Sequence, residues 1–479
     1  MYKNSRGRPG AVLAAAAVAQ FLVALDMAVV NVALPDIRAS LGFAPVDLSW
    51  VVHAYALTFG GFLLLGGRLC DLYGRRRLFV AGLAAFAAFS LLGGLAQAPW
   101  QLVAARAGQG AAAAVAAPAA LALITTAFTE GRERVRALGV WSAMNAAGGA
   151  LGVLAGGLLT EYAGWRWVML VNLPIVAAAL ALVPAGVPGD ARAGRRERLD
   201  VPGAVLATGG IGLLVFGVVR TDARGWASAA TLGTLAAAAV LLAGFVLTER
   251  RTAAPLVRLG LLRSRWTAGA NVLVFLAAAG QFSAFYFVSL YMQQVLGMGA
   301  AATGAAFLPF TVGVVAGTIV ATRVGSTRSP RASLLPGTLL AAAGLGWFAL
   351  ISPDGGFVAD VLGPSVLTSV GLGLVLAPVA AAATTGVAPH EAGTASGLLN
   401  SSRQLGGCVG LAVLATVAAG RTADPASPAS VNDGYALSLA VGAVLFLVAA
   451  AVALTLPRRT PPAASTPEPM ETRLEGTRS

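Results

Sequence analysis

Apolar runs of about 20 residues recur along almost the whole chain, parted by short stretches that hold most of its charge. A helix rises about 1.5 Å per residue, so about 20 apolar residues cross the hydrocarbon core of a bilayer. Such runs fall at residues 12–34, 48–67, 78–97, 100–127, 137–159 and 166–186, then at 202–219 and 229–248. Six more follow at 267–292, 301–321, 332–351, 358–379, 394–419 and 435–456. Pro364 and Pro378 bracket the twelfth run and make it the least regular. In lipid the backbone must satisfy its own hydrogen bonds, which leaves helices as the form for runs of this length. The pattern predicts an all-α polytopic membrane protein with fourteen transmembrane helices.

Arginine placement tests that count independently. With the N-terminus inside, Arg68, Arg75, Arg76, Arg77, Arg132, Arg134, Arg136 and the stretch 192–198 all face the cytoplasm. So do Arg250, Arg251, Arg258, Arg263, Arg265, Arg323, Arg328 and Arg331, whereas Arg38, Arg166, Arg220, Arg224 and Arg421 fall outside. This is the positive-inside bias of a bacterial cytoplasmic membrane, and it predicts cytoplasmic termini and an even number of spans. Lys3, Arg6 and Arg8 precede the first run as in a secretory signal peptide, but the run is longer and further spans follow. It therefore reads as an uncleaved first helix. The longest charged loops, 187–200 and 249–266, flank spans seven and eight. They divide the chain into a six-helix bundle (1–186), two linker helices with their loops (187–266) and a second six-helix bundle (267–456). The tail 457–479, rich in Pro, Thr and Glu, has the composition of a disordered segment.

Composition narrows the function. The chain is 57% hydrophobic and 11% charged, against about 25% charged in soluble proteins. A net charge of +13 would suit nucleic acid, but the positives sit in short loops and form no patch, so no nucleic-acid partner is expected. Cys70 and Cys408 are too few for a disulfide framework, and neither has metal-ligand spacing with His53 or His390. Lys3 is the only lysine, which excludes a phosphate-binding GxxxxGK[ST] loop. With no nucleophile–base or metal constellation, the chain reads as neither an enzyme nor a metalloprotein, and no cofactor is expected.

Three charges interrupt the apolar spans. Asp26 lies about nine residues, or ~13 Å, from the outer end of span one. A carboxylate at that depth is costly unless paired or protonated. Arg106 enters span four from the same side and is in position to pair with it. A carboxyl poised between desolvation and an arginine can take up and release protons as its surroundings alternate, so Asp26 and Arg106 are the proton-coupling candidates. A static structural ion pair fits the same two residues. Arg403 lies about ten residues into span thirteen, with Asn400 and Gln404 beside it, and suits a structural or gating role. His53 reads as a packed polar residue, and Asp360 and Glu161, near outer helix ends, as solvated acids. One deep acid is fewer than a dication exporter would use, so a neutral or monocationic hydrophobic substrate is expected. Trp50, Tyr55, Gln281, Phe285 and Tyr286 are candidates to line a midplane pocket, and helical packing accounts for them equally well.

Five segments carry a family resemblance. After span two comes Gly67-Arg68-Leu69-Cys70-Asp71-Leu72-Tyr73-Gly74-Arg75-Arg76-Arg77, a loop in which an acid, a tight glycine turn and three arginines cluster. It resembles the signature loop of the major facilitator superfamily. Asp26 belongs to Leu25-Asp26-Met27-Ala28-Val29-Val30-Asn31-Val32-Ala33-Leu34-Pro35, which resembles the first-helix motif of that superfamily's fourteen-helix drug:proton antiporters. Arg106-Ala107-Gly108-Gln109-Gly110 is similar to the RxxQG motif, and Asn400-Ser401-Ser402-Arg403-Gln404-Leu405-Gly406-Gly407 to the NxxRQxGG segment. Gly148, Gly152, Gly156 and Gly157 resemble the antiporter motif GxxxGPxxGG, with Val153 in place of its proline. Leu72 likewise stands where the signature loop usually has arginine. Spaced by four, Gly148, Gly152 and Gly156 share one face and admit a close helix. The resemblance implies two pseudo-symmetric six-helix bundles, Gly67, Asp71, Gly74, Arg75 and Arg76 as a conformational-switch loop, and alternating access driven by the proton gradient. It further implies a monomer in the lipid bilayer that exports drug-like or self-made antibiotic molecules. Import of a metabolite by symport, and a non-transporting receptor or assembly protein, are the competing readings.

Overall fold

The computed structural model describes residues 8–44, 47–128, 131–186, 200–221, 225–252, 255–256, 259–325, 330–387 and 391–457, and the regular structure among them is helical. The first bundle holds α1 (Pro9–Leu41), α2 (Trp50–Tyr73), α3 (Arg75–Gly94), α4 (Pro99–Ala127), α5 (Gly131–Ala163) and α6 (Arg166–Leu170, then Asn172–Gly186). The linker helices are α7 (Val201–Val219) and α8 (Ala229–Arg251). The second bundle holds α9 (Arg265–Leu290, widening into a π-turn at Tyr291–Val295) and α10 (Ala300–Ala306, then Leu308–Gly325). It continues with α11 (Arg331–Phe348), α12 (Phe357–Leu362 as a π-turn, then Gly363–Thr384), α13 (Ala392–Arg421) and α14 (Pro428–Thr455). Among the described residues 13 helical segments are long and apolar enough to cross a membrane. The 18-residue α11 supplies the fourteenth at the predicted position.

Local chemistry sets the ends. Proline in the first turn starts α1, α4, α7 and α14, where its missing N–H costs nothing. Asp200, Ser228, Ser264 and Ser427 cap α7, α8, α9 and α14 by accepting a hydrogen bond from the backbone three residues on. Gly42 closes α1 at φ 72. The irregular twelfth span resolves into a π-turn followed by a regular helix with Pro364 in its first turn. One expectation is corrected here. The segment from Gly67 is no loop: α2 runs through Tyr73 and α3 begins at Arg75, so Gly74 alone, at φ 97, makes the turn. The sequence from Gly67 to Tyr73 contains no proline and only two charged side chains, so nothing breaks the helix before a residue that tolerates positive φ.

The two bundles repeat one packing scheme. α1 packs on α5 and α6, α2 on α4, and α3 on α4; α9 packs in the same way on α13 and α14, α10 on α12, and α11 on α12. Glycines show the register. A Cβ on Gly148 or Gly152 would collide with the backbone of Phe21 or Leu25, and one on Gly406 or Gly410 with that of Phe275 or Ala279. The offset is constant along each helix, so Asp26 corresponds to Gly280 and Asn145 to Arg403. Between the bundles α2 meets α13 and α5 meets α10, while α7 lies against both α2 and α13 and carries α8 on its far side. Leu232, Val240 and Leu247 of α8 stay exposed, as befits a lipid-facing helix. At the face opposite the arginines the bundles are tied together: Ser289 Oγ donates to Asn31 O at 3.2 Å and Gln293 Nε2 to Val32 O at 3.0 Å. There too, Gly157 of α5 leaves no room for a Cβ beside the carbonyl of Ala300 on α10.

Candidate functional site

Asp26 and Arg106 meet inside the first bundle. Arg106 NH1 donates to Asp26 Oδ2 at 2.6 Å, with side chains 2% and 0% exposed. The second carboxylate oxygen accepts from Asn172 Nδ2 of α6 at 2.8 Å and from Gln109 Nε2 at 3.3 Å. Arg106 also donates to Val51 O at 3.1 Å and to Gln109 Oε1 at 3.0 Å, and its guanidinium lies 4.4 Å from the centre of the Tyr55 ring. Ser90 of α3 accepts from Gln109 at 2.7 Å and from Asn172 at 3.3 Å. Residues of α1, α2, α3, α4 and α6 thus form one network around the ion pair, with Arg106, Gln109 and Asn172 on the carboxylate itself. A buried charge keeps its place only when paired and hydrogen-bonded; both oxygens of Asp26 and two of the three guanidinium nitrogens of Arg106 have such partners.

The helices bring these groups together for simple reasons. Arg106 and Gln109 are three residues apart on α4 and share a face. α4 reaches α2 closely because a Cβ on Gly110 would strike the Tyr55 carbonyl, and Thr58 Oγ1 donates to Ala107 O at 2.8 Å across the same crossing. Behind Asp26, Gly148, Gly152 and Gly156 seat α5 on the backbone of Phe21, Leu25 and Val29 of α1. Gly157, next along, turns instead to α10. Sequence reasoning singled out Asp26 and Arg106 and missed Ser90, Gln109 and Asn172 as their partners. The available signal was that each is a hydrogen-bonding side chain inside an apolar span.

The other candidates are more scattered. Gln404 Nε2 lies 3.8 Å from Met27 Sδ across the bundle boundary, Asn400 donates to Ser396 O of its own helix at 3.3 Å, and Arg403 is half-buried. Trp50 packs edge-on to His53 and against Phe216 of α7, far along α2 from a midplane pocket. Tyr55 belongs to the Arg106 site. Phe285 stacks on Phe307 at 5.2 Å and meets Phe310 edge-on at 4.7 Å, within the second bundle, and Tyr286 is buried against Phe287. Gln281 is half-buried. The five proposed pocket residues are therefore not gathered into one site; aromatic packing within and beside the bundles takes up Trp50, Phe285 and Tyr286.

His53 is fully buried, with Nδ1 3.7 Å from Cys408 Sγ of α13, and so packs on the inter-bundle contact. His390 falls outside the described residues. The two acids read as solvated are engaged: Glu161 Oε2 accepts from Ala301 N of α10 at 2.7 Å, and Asp360 from Gly356 N at 2.9 Å. At the arginine-rich face Arg75 donates to Thr126 Oγ1 at the end of α4. Gly67 has room for a Cβ, Arg76 is half-buried, and the side chain of Asp71 lies outside the described set. Among the described residues no three His, Cys, Asp or Glu side chains cluster as a metal site would need.

Comparison with known proteins fits this architecture. A family model described as Major Facilitator Superfamily matches residues 16–411. The chain is 45% identical to the cephamycin export protein CmcT of Amycolatopsis lactamdurans, over 94% of this chain and 93% of that protein. It is 41% identical to the puromycin resistance protein pur8 of Streptomyces alboniger, over 91% and 89%. It is 38% identical to the tetracenomycin C resistance and export protein of Streptomyces glaucescens, over 88% and 78%. Among solved structures, an inward-facing, unoccupied bacterial homolog of the human lysosomal transporter Spinster superposes with a TM-score of 0.66, at 17% identity, over 95% of this chain and 97% of that one. Sequence, family model and fold agree: the chain belongs to the major facilitator superfamily.

Proposed function

We propose that this chain exports small hydrophobic organic molecules of the antibiotic class from a bacterial cell, exchanging them for protons at Asp26. The arginine-rich face is taken as cytoplasmic by the positive-inside rule, so the protein spans the cytoplasmic membrane with both termini inside. The relatives' names supply the substrate class, and the gradient itself supplies the energy. The observation that carries the coupling is the sealed network around Asp26. Protonating the carboxyl would remove the charge that Arg106 answers. Arg106 would keep Val51 O, Gln109 Oε1 and the Tyr55 ring but lose its strongest partner. The tie between α1 and α4 loosens at that moment, and α1 moves with α5 because their glycine contacts leave no slack. Since α5 and α10 close the outer face, a proton on Asp26 is linked to opening of that face. Both oxygens of Asp26 are committed to partners within the bundle, which argues against a cation held by that acid and favours a neutral substrate over the monocationic alternative.

Inside-out vesicles provide the test. Asp26→Asn should abolish uphill, proton-driven drug uptake while leaving substrate exchange down its own gradient, because only the proton step is lost. Full proton-driven transport by Asp26→Asn would end the proposal. Uptake that runs with the proton rather than against it would favour the symport reading.

A further inference from the structure

We propose that Arg403 binds an anionic group of the transported molecule, so that the substrates of this chain include small hydrophobic monoanions such as carboxylates and sulfonates. The proposal rests on the reading of the chain as an exporter of small organic molecules, and it names a point of attachment that the proton site does not supply.

Arg403 lies ~16 Å along α13 from Ala392, close to the bilayer midplane. Its helix faces are accounted for on both sides. Ser402, Gly406 and Gly410 turn to α9, where Ser402 Oγ donates to Asn271 Oδ1 at 2.8 Å. Gly397, Gln404 and Cys408 turn to α2, against Leu64, Gly60 and His53. The strip between them, at helical spacing, carries Asn400 and Arg403. On the opposite strip Leu405, Val409 and Ala412 pack against α7, and Gln404 beside Arg403 reaches Met27 of α1, so the strip of exposed Asn400 and half-buried Arg403 is the one turned toward the first bundle. The matching residue of the first bundle, Asn145, has a protein partner instead: it accepts from Gln20 Nε2 of α1 at 2.6 Å.

Among the described residues Arg403 has no hydrogen bond, ion pair or ring contact, and its Nε is buried without an acceptor. Gln404 Oε1 and Ser401 Oγ, its neighbours in sequence, are also buried without hydrogen-bond partners. Arg106 shows what an arginine at depth otherwise demands: a carboxylate, a carbonyl, an amide and an aromatic face. Cations within a membrane are paired or face an aqueous path. A guanidinium fork turned toward the first bundle matches a carboxylate or sulfonate in shape and charge. A purely gating arginine would hold a protein acceptor in one of its states, and this closed-outside state offers it none among the described residues.

The test uses two probes that share a scaffold. 8-Anilinonaphthalene-1-sulfonate is N-phenyl-1-naphthylamine bearing a sulfonate, so their difference isolates the anion. Binding is measured by fluorescence titration of the full-length protein in nanodiscs of zwitterionic lipid, with no proton gradient. Arg403→Gln should weaken the sulfonate by about tenfold and the neutral amine by less than about twofold, and Arg403→Lys should fall between. The unchanged amine reports that Arg403→Gln is folded. Equal losses for both probes, or no loss for the sulfonate, would overturn the proposal. So would a wild-type sulfonate affinity that collapses in nanodiscs of anionic lipid or in high chloride while Arg403→Gln is indifferent, because the anion held would then be a headgroup or chloride. Failure of Asp26→Asn to block transport, with the probe selectivity intact, would remove the coupling proposal and leave this one standing.

Discussion

Where α1 of the first bundle sets Asp26 against Asn172 of α6, the corresponding turn of α9 sets Gly280 against the ring of Phe446 on α14. Where α5 offers Asn145 to Gln20, the corresponding turn of α13 carries Arg403, whose Nε has no acceptor among the described residues. The helix seams are the same: glycines of α5 and α13 admit α1 and α9 to backbone contact in matching register. Packing has thus been kept in both halves while the charge has been divided. The first bundle buries an acid with its answering base and seals both. The second fills the acid's position with an aromatic ring and carries a base with no partner among the described residues. A two-fold scaffold need not carry a two-fold mechanism, since a site depends on a few side chains and a seam on backbone spacing.

The largest effect should come from breaking the sealed half. Arg106→Gln leaves the Asp26 carboxylate buried without its cation, and removing one member of a buried pair costs about 3–5 kcal/mol. Thermal unfolding in detergent should show the loss directly. Combining Arg106→Gln with Asp26→Asn should recover most of it, because two neutral amides can share the remaining donors and acceptors. If the double variant is no more stable than Arg106→Gln alone, the network is not held together by that pair.

The equality of the seams can be sharpened next. A valine at Gly152 must displace the backbone of α1 at Leu25, and a valine at Gly410 that of α9 at Ala279. Overpacking of this kind costs about 1–3 kcal/mol, and the two variants should lose similar amounts. Gly149, three residues before Gly152 on α5 with open space around it, should instead gain up to about 1 kcal/mol as alanine. A loss at Gly152 with none at Gly410 would mean that only the first bundle depends on close helix approach.

How far this was legible in the sequence follows the same division. Fourteen spans are written in apolar length and arginine placement, both averages over many residues, and the structure keeps them. Asp26 and Arg106 were legible because a charge within an apolar run is expensive wherever it sits. Ser90, Gln109 and Asn172 are cheap enough on a helix to need no explanation there, and only the crossing of α3, α4 and α6 makes them a shell. The grouping of Trp50 with Phe285 failed for the opposite reason: aromatic side chains fit many surroundings, so their presence says little about which face they occupy. The segment from Gly67 to Tyr73 reads as a loop in the sequence because charge density hides helical continuity up to Gly74, the residue that breaks it.

The smallest effect tests what the comparison leaves between the bundles. Glu161 is exposed at the end of α5, yet its carboxylate accepts from Ala301 N and so ties the first bundle, which buries Asp26, to the second. Charge at the first turn of a helix is worth about 0.3–1 kcal/mol at the surface. Glu161→Gln keeps an acceptor and loses the charge, which should shift the closed-to-open ratio of that face by about two- to fivefold. Spin labels on cysteines replacing Tyr162 and Val358, 77% and 72% exposed at the outer ends of α5 and α12, would report the change as a new longer distance. Cys70 and Cys408 are buried and need not be removed first. Glu161→Ala, which also loses the acceptor, should shift the ratio further. If all three proteins give one distance distribution, the outer closure rests on the glycine contact of Gly157 with Ala300 and on the hydrogen bonds that Ser289 and Gln293 of α9 donate to the α1 carbonyls. The division of charge between the bundles would then stop at their interiors.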